Sequence, residues 1–176
     1  MPIESLPSLV ALALKGYFLF YVLKSRVKSH LTQLFFFLLI LFCLHNFIEF
    51  VGFLIKPEGG INQATINLGY AYFAIAIAYI AVILHLSMLL SHDLNAKKKQ
   101  LLLLLYLPVI PLECLLLFTD TLVVGFQSFA EYSILRVPGP YYSLVETYLS
   151  LYLLASLSNL IYGARSSRAP VINRTR

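Results

Sequence analysis

The sequence predicts an all-α integral membrane protein: a bundle of five transmembrane helices with its N-terminus outside and its C-terminus in the cytoplasm. Composition is the first observation, because 60% of the 176 residues are hydrophobic and only 12% are charged. Typical soluble domains are roughly half apolar and about a quarter charged. Length is the second, since five apolar stretches come near or exceed the roughly 20 residues that span a bilayer. The third is the distribution of positive charge.

The five predicted spans fill almost the whole chain, so residues 1–176 are predicted to form a single membrane domain with no room for a soluble catalytic domain. The spans cover 7–23, 31–55, 66–91, 101–119 and 142–164, and the basic tail covers 165–176. The second and third are long enough to tilt. The fourth contains Pro108 and Pro111, which remove backbone donors and predict a kink.

Loop charges predict the orientation. Ten of the 13 Lys and Arg residues fall in the 24–30 loop, the 92–100 loop and the C-terminal tail, whereas the 56–65 and 120–141 loops hold only Lys56 and Arg136. Basic loops stay in the cytoplasm, so the N-terminus is predicted to lie outside. The basic clusters are expected to mark topology and to contact anionic lipid, so they require no nucleic-acid partner. A docking surface for a cytoplasmic partner stays open as an alternative.

The 120–141 loop is the longest connection, and two interpretations of it stay open. Its sequence "DTLVVGFQSFAEYSILRVPGP" alternates apolar and polar residues. It fits a short amphipathic helix on the outer surface, or a lid over a site below it.

Ionisable residues within the predicted spans indicate a site, because such groups are costly in lipid and usually face the bundle interior. At about 1.5 Å of rise per residue, Lys15 lies about 12 Å below the outer end of its span, Glu49 and Glu113 about 9 Å, and Glu146 about 6 Å. We therefore predict a polar cavity that opens outward. Its predicted ligand-binding residues are Lys15, Asn46, Glu49, Glu113 and Glu146.

Helical spacing supports the predicted cavity. His45, Glu49 and Gly52 share one stripe of the second span, and Ser143, Glu146 and Ser150 share one of the fifth. A stripe from Asn67 to His85 along the third span includes four alanines, which allow close helix packing. His45, Asn67 and His85 are predicted to be structural polar residues.

A purely structural alternative is that Lys15 pairs with Glu49 and fixes the register of the first two helices. Consecutive helices usually touch, so this pairing is expected. One lysine cannot neutralise three carboxylates, so the pairing does not exclude a ligand site.

No catalytic, metal or cofactor motif is found in the sequence. GxSxG, HExxH and Gly-rich phosphate loops are absent, and Cys43 and Cys114 form no CxxC motif. A bis-histidine haem on His45 and His85 is disfavoured, because their estimated depths of about 15 and 28 Å are too different for one iron. The chain is therefore expected to be non-enzymatic and to carry no cofactor.

The order of features resembles a known family. The segments "HNFIEF", "NLGYAYFAIAIAYIAVILHLSMLL", "YLPVIPL" and "GPYYSLVETYLSLYLLASLSNLIYGAR" are similar in arrangement to the N-terminal seven-helix sensory region of bacterial histidine kinases and diguanylate cyclases. The resemblance covers residues from about 5 to 176, matched to the first five helices of that region. It implies a sensory input domain in the bacterial cytoplasmic membrane, here without helices six and seven and without an output domain.

Two functions remain open. The first is a membrane sensory or ligand-binding module that signals through a partner or a missing output domain. The second is a structural or accessory subunit of a larger membrane complex. Both predict contact with lipid, and with a membrane protein partner or a second copy of the chain.

Overall fold

The protein is described by a computed structural model at residues 6–24, 29–55, 61–91, 102, 104–129 and 133–172. These residues form helices and one β-hairpin. In chain order the elements are α1 (Leu6–Lys24), α2 (His30–Leu54), α3 (Gln63–Ser91), α4 (Val109–Phe118), β1 (Val123–Phe129), β2 (Ser133–Pro138) and α5 (Tyr142–Ile172). Within the described residues, α1, α2, α3 and α5 are long and apolar enough to cross a membrane. The protein is therefore a largely helical membrane protein.

Local sequence explains where two helices begin. Ser29 has an extended backbone, and its Oγ accepts a hydrogen bond from the Thr32 amide at 3.1 Å, which caps α2. Asn62 does the same for α3, because its Oδ1 accepts from the Thr65 amide at 2.9 Å. Such caps satisfy amides that have no partner within the helix.

The fourth predicted span is interrupted, as its prolines predict. Residues 104–106 are helical, a turn occupies 107–108, and α4 begins after Pro108. The Leu107 amide bonds to the Leu104 carbonyl at 3.3 Å, which closes the tight turn. Pro111 lies in the first turn of α4, where its missing N–H costs little. The apolar helical segment Leu104–Phe118 is shorter than the other four, and a fifth crossing stays a prediction.

α3 is the central helix: it packs against α2, α4, α5 and β1, whereas α1 packs against α2. Contacts between residues near the helix ends also show the relative directions of the helices. Tyr142 stacks on Phe73 near the starts of α5 and α3, and Gly163 lies against Ser91 near their ends. The two helices are therefore parallel, and the chain between them returns to the side where α3 begins. α1 and α2, and α2 and α3, are antiparallel, as expected for consecutive crossings.

The 120–141 connection is a β-hairpin, so the amphipathic-helix alternative is wrong. β1 and β2 are antiparallel, with Phe126 opposite Arg136 and a register shift between Val123 and Gly125. The alternation of apolar and polar residues is the two-residue period of a strand. The hairpin packs against the first part of α3, where the Phe126 ring meets the Tyr70 ring edge-on with 5.1 Å between centroids.

The main hydrophobic core lies where α3, α4, α5 and the hairpin meet. Its buried members are Phe73, Ile77, Ile80, Leu112, Leu116, Leu122, Val123, Val145 and Tyr148. A second, smaller cluster joins α2 to another face of α3 through Leu38, Leu41 and Val82. The two clusters lie on different faces of α3, and Tyr79 and Ile83 of α3 pack against both.

Candidate functional site

Two side-chain hydrogen bonds connect α1 to α2 within their apolar segments. Lys15 Nζ donates to Asn46 Oδ1, and Ser8 Oγ donates to Glu49 Oε2 at 2.8 Å. Ser8 and Asn46 are buried, with 6% and 7% of their surface exposed. Lys15 and Glu49 are half-buried. The register is antiparallel, because the earlier residue on α1 meets the later one on α2.

The sequence predicts that Lys15 contacts Glu49, either directly or through one water, and the direct ion pair is not formed in the structure. Each charged group bonds to a neutral side chain instead. Depth explains the difference: Asn46 lies about 4.5 Å deeper on α2 than Glu49, so it is level with Lys15. Asn46 and Glu49 are three positions apart on α2, so the bonding partner of Lys15 lies about one helical turn from Glu49.

Aromatic side chains surround these groups on the α3 side. The His45 ring stacks on Tyr72 with 3.8 Å between centroids, and it meets Tyr79 edge-on at 5.6 Å. Lys15 Nζ lies 5.2 Å from the centroid of Phe42, a cation–π distance. We define the α1–α2 polar cluster by its residues: Ser8, Lys15, His45, Asn46, Glu49 and Tyr72.

The other two predicted carboxylates lie elsewhere. Glu113 is half-buried on α4, next to Leu112, which belongs to the main core. Tyr148 of the same core donates its hydroxyl to the Ile77 carbonyl of α3 at 3.0 Å, whereas Tyr72 lies on the face of α3 that meets His45 of α2. α3 therefore lies between Glu113 and the α1–α2 polar cluster.

Glu146 is exposed, as are Ser143 and Ser150 on the same stripe of α5. The buried residues Val145 and Tyr148 place the opposite face of α5 toward the core. The predicted convergence of three acids in one cavity is thus not seen among these residues. The sequence period shows which residues share a face, but it does not show which face turns inward.

Asn67 and His85, predicted to be structural, have local hydrogen bonds. Asn67 is exposed and accepts from Gln63 Nε2 at 3.0 Å within α3. His85 is buried, and its Nδ1 lies 2.9 Å from the Tyr106 hydroxyl. Tyr72, the ring beneath His45, is 13 positions before His85, about 20 Å along α3, which agrees with the argument against a haem shared by His45 and His85.

Sequence reasoning missed Ser8 and Tyr72 as members of the α1–α2 polar cluster. Ser8 is seven positions before Lys15, which puts both on one face of α1, so its position carried a usable signal. Tyr72 carried no such signal, since nothing in the sequence shows that its ring meets His45.

Comparisons with protein-family models, curated proteins and solved structures find no match to this chain.

Proposed function

We propose that the protein is a non-enzymatic membrane sensory module, in which the α1–α2 polar cluster binds a small zwitterionic molecule from the predicted outer side. One observation carries the proposal. Lys15 and Glu49 lie on adjacent helices with opposite charges, and each bonds to a neutral group rather than to the other. A molecule with an anionic and a cationic group complements both.

The energetics favour such a ligand over a simple ion. A half-buried charge in a membrane helix loses hydration, and it is stabilised only when an opposite charge or hydrogen bonds replace the lost water. Lys15 and Glu49 together carry no net formal charge, so a lone cation or anion would satisfy one of them and repel the other. A zwitterion satisfies both, and the Tyr72 and Phe42 rings offer apolar contact beside them.

The packing supports a route from this cluster to the rest of the molecule. α1 packs against α2, and most of its large apolar residues are exposed. A ligand bound between α1 and α2 can therefore displace α1 without breaking the main core. α2 in turn contacts α3, the helix against which the main core is built. The resemblance to sensory regions of histidine kinases agrees with this direction of signalling.

A binding experiment tests the proposal. Protein in phosphatidylcholine nanodiscs is titrated by calorimetry with glycine, alanine, glutamate, lysine, betaine and γ-aminobutyrate. At least one zwitterion should bind, and both Lys15→Met and Glu49→Gln should weaken it by about tenfold or more, each removing roughly 1.4 kcal/mol. Glu113→Gln serves as the matched control, because α3 separates Glu113 from the cluster. Binding that is insensitive to Lys15 and Glu49 would refute the proposal.

A second function, that of an accessory subunit, is favoured by the exposed face of α5. Ser143, Glu146 and Ser150 are exposed there beside leucines such as Leu154 and Leu157. A carboxylate that faces lipid is unfavourable, so another polypeptide is expected to cover this face. A photo-crosslinking amino acid at Ser143 should capture a membrane protein, whereas the same probe at Leu14 on α1 should capture mainly lipid.

A further inference from the structure

His85 has a buried ring nitrogen without a hydrogen-bond partner. Only 8% of the His85 surface is exposed. In the described part of the chain, His85 Nε2 is the one buried side-chain nitrogen or oxygen that makes no hydrogen bond. A buried polar group that is left unsatisfied is unfavourable. Since the other ring nitrogen already lies 2.9 Å from the Tyr106 hydroxyl, the need for a partner falls entirely on Nε2.

The Tyr106 contact matches the arrangement of a metal-binding histidine. In such histidines, the nitrogen that does not bind the metal usually donates its N–H to a nearby acceptor, which fixes the tautomer and the ring orientation. When Nδ1–H donates to the Tyr106 oxygen, Nε2 carries a free lone pair. That lone pair is directed into a buried position, where no protein donor among the described residues reaches it.

A second imidazole lies beside it. His30, at the start of α2, is exposed, and its ring centroid is 5.7 Å from that of His85 with the two planes inclined by 47°. Zinc binds imidazole nitrogen at about 2.0–2.1 Å, so two histidines on one tetrahedral zinc have ring centroids roughly 5 to 6 Å apart. The observed spacing of 5.7 Å falls in this range.

We propose that His30 and His85 bind a divalent transition-metal ion of the zinc class where the start of α2 meets the last part of α3. The site is distinct from the α1–α2 polar cluster, because His85 lies about 20 Å along α3 from Tyr72. Tyr106 acts as the positioning residue for His85.

The donor set limits the metal. Neutral imidazoles suit zinc, copper, nickel and iron, whereas magnesium and calcium require oxygen ligands. Within the described residues no group of three or more His, Cys, Asp or Glu side chains is placed to hold a metal. The ligands that the described residues supply are therefore two, and water that reaches the exposed His30 can fill further positions on the metal. An open site of two ligands suits a reversible metal ion rather than a permanent structural one.

The test uses the full chain with a purification tag that contains no histidine, in phosphatidylcholine nanodiscs. Zinc chloride is titrated by calorimetry, and copper(II) is added separately for electron paramagnetic resonance, where imidazole nitrogens give a characteristic splitting. His30→Gln and His85→Gln should each weaken zinc binding by more than the roughly 10- to 100-fold typical of losing an outer-shell partner, and Tyr106→Phe by about that amount. His45→Gln is the matched control, because it also changes a membrane-segment histidine that stacks on a tyrosine.

The results of these titrations either support or overturn the proposed metal site. Loss of binding and of the nitrogen splitting in His30→Gln, with both retained in His45→Gln, supports the site. His30 is exposed, so this variant remains informative even if His85→Gln fails to fold. Wild-type protein that binds zinc only at millimolar concentrations, or a His30→Gln variant that binds as tightly as wild type, overturns the proposal.

Discussion

Lys15 and Glu49 show how a membrane segment holds opposite charges without pairing them directly. Asn46 and Ser8 each satisfy one charged group, so the charges remain available while neither is left bare. Interhelical hydrogen bonds of this kind contribute about 0.6 kcal/mol on average and up to about 1.7 kcal/mol. The two hydrogen bonds therefore set the register of α1 on α2, and they add little to the stability of the protein.

The first prediction separates the observed pairing from the Lys15–Glu49 ion pair. In a double-mutant cycle, Lys15→Met and Asn46→Leu should couple by about 0.6–1.7 kcal/mol in the free energy of unfolding, because each removes the partner of the other. Reversible unfolding in mixed micelles measures it. Leu14→Ala, a change at an exposed neighbour on α1, should show no coupling to Asn46→Leu. A larger coupling of Lys15 to Glu49 than to Asn46 would contradict the structure.

The second prediction concerns Gly69, where β1 packs against α3. A methyl group added there would lie 2.5 Å from Cε1 of Phe126, so Gly69→Ala should destabilise the protein by about 1–3 kcal/mol through overpacking. The double variant Gly69→Ala/Phe126→Ala should be no less stable than Phe126→Ala alone. Gly16→Ala on α1, where nothing lies within 4 Å, should be neutral or slightly stabilising. Thermal unfolding of the four variants measures the differences.

Among the helices, the break before α4 is followed by a hydrogen bond from α5 to a backbone carbonyl beside the break. The Tyr152 hydroxyl on α5 donates to the Leu105 carbonyl at 2.8 Å, next to the turn at 107–108. A carbonyl beside a break in a helix needs such a partner, because lipid offers none. The proline-interrupted segment is therefore held against α5 by a side chain far along the chain.

The third prediction follows from that contact. Tyr152→Phe removes the hydroxyl and leaves the Leu105 carbonyl without its donor, so it should lower the free energy of unfolding by about 1 kcal/mol. Tyr17→Phe, at an exposed ring on α1, serves as the control and should have no measurable effect. An equal effect of the two substitutions in denaturant unfolding would show that the Tyr152 hydrogen bond does not stabilise the break.

The sequence predicts the elements whose signal is local. Apolar length places α1, α2 and α3 within three residues of their observed ends, and Pro108 locates the interruption. The hairpin was missed because Val123–Phe129 alternates on a background so apolar that a strand and an amphipathic helix look alike. α5 extends past the predicted end at 164 to Ile172, since hydropathy detects where the apolar segment ends and not where the helix does.

Across the fold, α3 packs against α2 on one face and against α4 and α5 on another, so residues on its different faces do not meet. Tyr72 meets His45 of α2, whereas Phe73 and Ile77 lie in the core with residues of α4 and α5. Similar depth alone could not bring Glu49, Glu113 and Glu146 together, because a helix stands between two of them and the third faces outward. The sequence predicts that Lys15, Asn46 and Glu49 belong to the candidate site. It does not predict that α3 lies between Glu113 and these residues.

We propose that the α1–α2 polar cluster is open to water on the predicted outer side, and thiol labelling tests this directly. In a background with Cys43→Ala and Cys114→Ala, Glu49→Cys is treated with a membrane-impermeant maleimide in right-side-out and inside-out vesicles. The thiolate that reacts forms in water and not in lipid, so Glu49→Cys should be labelled rapidly in right-side-out vesicles only. Leu14→Cys, at a similar depth on the exposed face of α1, should stay unlabelled in both. Equal, slow labelling of the two thiols, or labelling of Glu49→Cys only in inside-out vesicles, would contradict the claim.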